Sequence, residues 1–195
     1  GKLESSGSTT ISASSLPVAL PTGITNVQVS CRLTDAAGQP MPANAIVNVT
    51  ETSPRENRQL EINGVPVTLQ RVTFTKTLYV VLEITGVDPA TGMQFLVTSN
   101  PATFRFIKTA YLCAPEGTSL VVRVYNFSYI AVINRSVTET ITGFGISFTV
   151  CQSIQTVTPV TIELWADCCA PRQPLSEQCN RPEVPRVCPN VFPRE

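Results

Sequence analysis

Apolar residues in this chain recur at every second position, and turn residues interrupt the runs roughly every ten positions. Val27, Val29, Cys31 and Leu33 alternate with Gln28, Ser30 and Arg32. Val72, Phe74, Leu78, Val80, Leu82 and Ile84 share one parity, broken only by Lys76. Ala102, Phe104, Phe106, Ala110 and Leu112 form the next apolar face, with Lys108 among them. A period of two places alternate side chains on opposite faces of a strand. No stretch of helix length shows a convincing period of 3.6. Parallel sheets need helical crossovers, and none is visible. The pattern therefore predicts an all-β fold: an antiparallel β-sandwich or jelly roll.

The turns are written in residue chemistry. Asn63-Gly64 between Leu60-Glu61-Ile62 and Val65-Pro66-Val67 is a strong hairpin signal. Asp35 to Gly38, Asp88 to Gly92 and Ala114 to Gly117 read as turns, as does Ser99-Asn100-Pro101. Residues 45–50 form a short β-rich run, and residues 53–59 read as a polar loop or edge. Residues 93–98, 120–133, 137–141, 146–151 and 157–165 supply further strands. Gly143-Phe144-Gly145 marks a bulge or turn.

Both ends differ from this middle. Residues 1–22 are mostly Ser, Thr, Gly and Pro. Alone they bury too little apolar surface to offset ordering, and they read as a flexible or partner-inserting N-terminal arm. Thr9, Ile11, Leu16, Val18 and Leu20 are its assembly candidates. Residues 23–166 form the sandwich. Residues 167–195 are an irregular Cys/Pro-rich C-terminal tail, because proline lacks the donor that a sheet needs.

The composition closes several routes to function. The chain has no histidine, so Ser-His-Asp, Cys-His and His-based zinc sites cannot be built. Phosphate-binding and dinucleotide motifs are absent. Glu61, Glu83, Glu139 and Glu163 lie on expected strands, but nothing selects a catalytic pair. No catalytic residue, metal or cofactor is expected, and the chain is not expected to be an enzyme. Fourteen basic residues balance fourteen acidic ones, so no basic surface exists for nucleic acid. No apolar run is long enough for a spanning helix. Charged residues make up 14%, against about 25% in an average soluble domain, which removes repulsion between copies.

Seven cysteines remain: Cys31, Cys113, Cys151, Cys168, Cys169, Cys179 and Cys188. All are disulfide candidates, and the odd count leaves one over for another molecule or a free thiol. The first three also suit the apolar core. The last four alternatively offer a four-thiolate zinc set, although no Cys-x-x-Cys pair is present. Asn48, Asn126 and Asn134 head N-x-[ST] sequons. Tyr125, Phe127, Tyr129, Phe144, Phe148 and Trp165 read as core or cross-strand aromatics, or else as a stacking platform.

An N-terminal arm, a β-rich middle, low charge, absent histidine and surplus cysteines together resemble bacterial surface-fibre subunits, in particular those of spore appendages. The resemblance implies a jelly-roll core, arms inserted into neighbouring subunits and intersubunit disulfides. Residues 1–30 lack the connector cysteines of that family, so covalent locking would fall to the tail. The expectation is a structural subunit at an extracellular, cell or spore surface, with copies of itself as partners. The alternative is a surface-exposed sandwich that binds carbohydrate or a receptor.

Overall fold

The computed structural model describes residues 1–161. Within them ten strands form two antiparallel sheets, joined by turns and one short 3-10 segment. The first sheet has the order β1 (Lys2–Ser12), β10 (Ile141–Val157), β9 (Ser119–Arg135), β3 (Ile46–Val47). The second is built on β6 (Val65–Val87) as a spine. One edge of β6 carries β2 (Thr25–Thr34), β4 (Val49–Glu51) and β5 (Glu56–Ile62) in series. Its other edge carries β7 (Gln94–Thr98) and β8 (Ala102–Leu112). The fold is thus the all-β sandwich that the alternation predicts.

The core lies between the sheets and follows the parity of the sequence. Val72, Phe74, Leu78, Val80, Leu82 and Ile84 of β6 face Phe144, Ile146, Phe148, Val150 and Ile154 of β10 across one apolar cluster. The Asn63-Gly64 turn has both residues at positive φ, 51° and 78°, as a two-residue hairpin with the right twist requires. Gly38 closes the Asp35 turn through its N–H to the Asp35 carbonyl, at φ 82°.

Three local expectations change. Ser99-Asn100-Pro101 does not reverse the chain, because β7 and β8 both run antiparallel to β6 along the same edge. Instead the Ser99 hydroxyl accepts the Leu82 N–H and maintains the ladder across the break. Residues 137–141 are mostly turn: the Ser136 N–H bonds the Thr140 carbonyl and Glu139 sits at φ 62°. The segment expected at 146–151 is the middle of a longer strand, β10, with register shifts between Ile141 and Gly143 and between Cys151 and Gln152, while the strand expected at 157–165 does not continue past Val157 among the described residues.

The sandwich also begins earlier than residue 23. Lys2–Ser12 is a full strand in the first sheet, paired with β10 of its own chain. Its inward positions are Leu3, Ser5, Gly7, Thr9 and Ile11, so hydrophobic alternation is weak even though the burial alternates. The tail cysteines Cys168, Cys169, Cys179 and Cys188, together with Glu163 and Trp165, lie outside the described residues.

Candidate assembly interface

The chain's first strand forms an edge held mainly by backbone. β1 and β10 pair in unbroken register from Lys2 opposite Ser153 to Ser12 opposite Gly143. The N-terminal ammonium extends the seam by donating to the Ile154 carbonyl at 2.7 Å. On the outer face Ser6 and Thr149 share a hydroxyl hydrogen bond of 3.0 Å. On the inner face β1 brings only two large aliphatics, Leu3 and Ile11, and both are half-buried. Even full burial of such a side chain contributes only about 1.5–3 kcal/mol. Ser5 is buried, with its hydroxyl unpartnered.

Two glycines set the register of this seam. A Cβ on Gly7 would lie 2.8 Å from the Phe148 ring and 3.0 Å from Phe104. Those two rings, Phe148 from the neighbouring strand β10 and Phe104 from β8 of the opposite sheet, meet edge to face 4.7 Å apart and cap the strand. A Cβ on Gly143 would lie 2.8 Å from the Ile11 carbonyl oxygen. Sliding β1 by one residue would put Ser6 or Ser8 against the rings and turn every side chain over.

Beyond Ser12 the arm changes character. Residues 13–15 make a 3-10 turn, and the Ser15 hydroxyl donates to the Ser12 carbonyl. Leu16 is buried, Leu20 packs on the core rim and Val18 is exposed. The assembly candidates therefore divide. Thr9 and Ile11 pair with Ile146 and Phe144, whereas Leu16, Val18 and Leu20 belong to the linker to β2. Pro17 and Pro21 explain the division, since neither can donate to a ladder. The missed part, Lys2 to Ser8, is rich in serine and carries glycine, residues whose small inward side chains give periodicity nothing to detect. The β-branched run Thr9-Thr10-Ile11 was the one available signal.

The far edge of the same sheet also carries open backbone. Among the described residues β1 has no partner on its outer edge, and β9 meets β3 only at Val122 and Arg123. The stretch of β9 beyond that pairing exposes Tyr129, Ile130 and Val132. At its start, Tyr125 is the extra residue of a bulge opposite Cys151. The Tyr125 hydroxyl is raised above its ordinary pKa by local desolvation and by the neighbouring Cys151 and Glu4. The same bulge leaves the sequon residue Asn126 exposed despite the apolar strand around it.

The cysteines of the sandwich take separate paths. Cys31 and Cys151 are free, which corrects their reading as disulfide candidates. Cys31 points into the core from β2, and burial pushes its thiol up to about 11. Cys151 has the opposite parity to buried Val150 and Gln152 and faces outward. The two thiols therefore cannot meet across the sandwich. Cys113, just after β8, is disulfide-bonded. The turn that follows it is clamped by Arg55, which donates to the Ala114, Pro115 and Thr118 carbonyls and to the Thr118 hydroxyl. Arg55 also makes a two-pronged bond to Glu51, and this holds the Glu51 carboxyl below the usual carboxylate range.

The aromatic candidates do not form one platform. Phe144 and Phe148 are buried, Phe127 packs against Phe148, and Tyr125 and Tyr129 are exposed. Among the carboxylates Glu83 pairs with Arg32, Glu61 is exposed on β5 and Glu139 sits in a turn. No cluster of metal-ligating side chains occurs among the described residues, nor does any helix long and apolar enough to cross a membrane.

Fold and seam define an all-β antiparallel sandwich whose first strand is a glycine-registered edge. Comparison with protein-family models, curated proteins and solved structures finds no significant match for this chain.

Proposed function

We propose that this chain is a structural subunit that self-assembles by exchanging β1 between copies. The observation that carries this reading is the construction of the seam. An eleven-residue edge strand is held by a backbone ladder and only two large apolar side chains, and residues 13–24 tether it. Twelve tether residues span about 40 Å when extended, enough to carry β1 to a neighbour. The slot beside β10 offers a neighbour's β1 the same ladder and the same ring-capped glycine site, so β1 itself keeps its contacts on exchange, and the cost falls on Leu16 and Leu20 of the tether. A head-to-tail exchange does not close on itself and grows into a filament. Near-zero charge permits the close approach of copies. Disulfides from the cysteine-rich tail would then lock subunits at an oxidising surface outside the cell.

Electron microscopy of the full chain beside a chain lacking residues 1–12 tests this. The full chain should give filaments that resist denaturant until reductant is added, and the truncated chain should not assemble. Filaments from the truncated chain would refute strand exchange.

A further inference from the structure

Among the described residues, one buried hydrogen bond between side chains joins the two sheets. Lys76 of β6 donates from Nζ to the Oε1 of Gln152 on β10. Both residues are fully buried, with 0% exposure. The Phe106 ring lies 5.7 Å from Nζ, and the Gln152 Nε2 has no hydrogen-bond partner. None of the four ion pairs among the described residues includes Lys76. A buried ammonium without a counter-charge is a costly way to fill a core, and a neutral product at the same place relieves that cost.

We propose that Lys76 and Gln152 join as an intramolecular amide that staples the two sheets together. The neutral Lys76 amine attacks the Gln152 Cδ, which is one carbonyl bond length from the oxygen that Nζ already touches. A new Nζ–Cδ bond forms and the Cδ–Nε2 bond breaks. A proton passes from Nζ to Nε2, which leaves as ammonia. Atoms and electrons balance without an oxidant or a co-reactant. Nε2, which has no hydrogen-bond partner among the described residues, is the leaving group.

Two further observations favour the step. Burial, and secondarily the charge of Lys108, lower the Lys76 pKa to about 8, so much more of it is the free amine than for an exposed lysine. The sandwich also holds amine and amide in contact, and fixed reactants reach effective concentrations of about 10⁵–10⁸ M. Ser5, whose buried hydroxyl also lacks a partner among the described residues, stands opposite Val150, one step along the inner face from Gln152. The polar contact therefore lies beneath the β1 seam, but the amide forms between parts of one chain and does not depend on how copies assemble.

Mass spectrometry of the folded full chain, kept at pH 9 so that most of Lys76 is neutral, tests the proposal. The intact mass should fall short of the sequence mass by one ammonia. Fragmentation of a digest should find a branched peptide joining Lys76 to Gln152. Succinimide formation at Asn63-Gly64 would also release ammonia, so the branched peptide, not the mass alone, decides. Lys76→Met and Gln152→Leu should each abolish the branch. Recovery of Lys76 and Gln152 only in separate linear peptides would overturn the proposal, whether or not the variants fold.

Discussion

Arg55 shows how one side chain fixes a region that the sequence leaves ambiguous. Residues 53–59 read as a polar loop or edge, and the structure uses Arg55 there to tie the start of β5 to the turn after Cys113. Lysine cannot reproduce its fork of donors. Arg55→Lys should therefore cost about 1–3 kcal/mol in urea unfolding, since several carbonyls lose their partner. The Glu51 half has a defined pH dependence. Its folded pKa is depressed, so the folded protein binds fewer protons than the unfolded chain below the usual carboxylate range. The stabilisation is present above the unfolded pKa and is lost as pH falls through the folded one. An acid titration of stability should show this loss in the native chain and not in Arg55→Met. Lys76 was legible only as a break in parity. Its burial depends on Gln152, a partner 76 residues away, and no local pattern connects the two.

Among the elements, long strands with large inward residues were readable and the small-residue strand was not. β6 declared itself through seven consecutive even positions of one parity, including Lys76. β1 did not, because Ser5, Gly7 and Thr9 contribute through their small size and the backbone ladder rather than through hydrophobicity. Gly7→Val tests that fit. The added side chain would meet the Phe148 and Phe104 rings, and overpacking of this kind costs about 1–3 kcal/mol. Hydrogen exchange should accelerate in β1 and along the facing edge of β10, while β6 stays protected. Unchanged protection in β1 would show that Phe148 yields and that Gly7 does not set the register. The kink at Ser99 was missed for a related reason. Asn-Pro chemistry signals a break, but only the ladder on β6 decides whether the chain turns back.

For the whole molecule, neutrality and an unpaired terminal edge act together. A sandwich with balanced charges has no long-range barrier to meeting its own copy, and open edges invite pairing. A free peptide of residues 1–15, added in excess, should occupy vacant slots and shorten filaments in proportion to its concentration. Filament lengths unchanged by the peptide, measured by microscopy, would argue against the β10 slot as the growth point. The architecture was legible because alternation and turn spacing suffice for two sheets. Which copy supplies β1 is not written in periodicity, because the slot is chemically the same in either case.

The neighbouring position of the first and last described strands has a mechanical consequence. In the single chain Gly1 lies against Ile154, so a pull between Gly1 and Val157 would open the seam rung by rung from that end, at low force. In the proposed exchanged assembly, tension would enter β1 at Ser12 through the tether. When that tension runs along the strand, it loads the rungs of the ladder in parallel. The same hydrogen bonds would then behave as a zip in the monomer and as a shear joint in the filament.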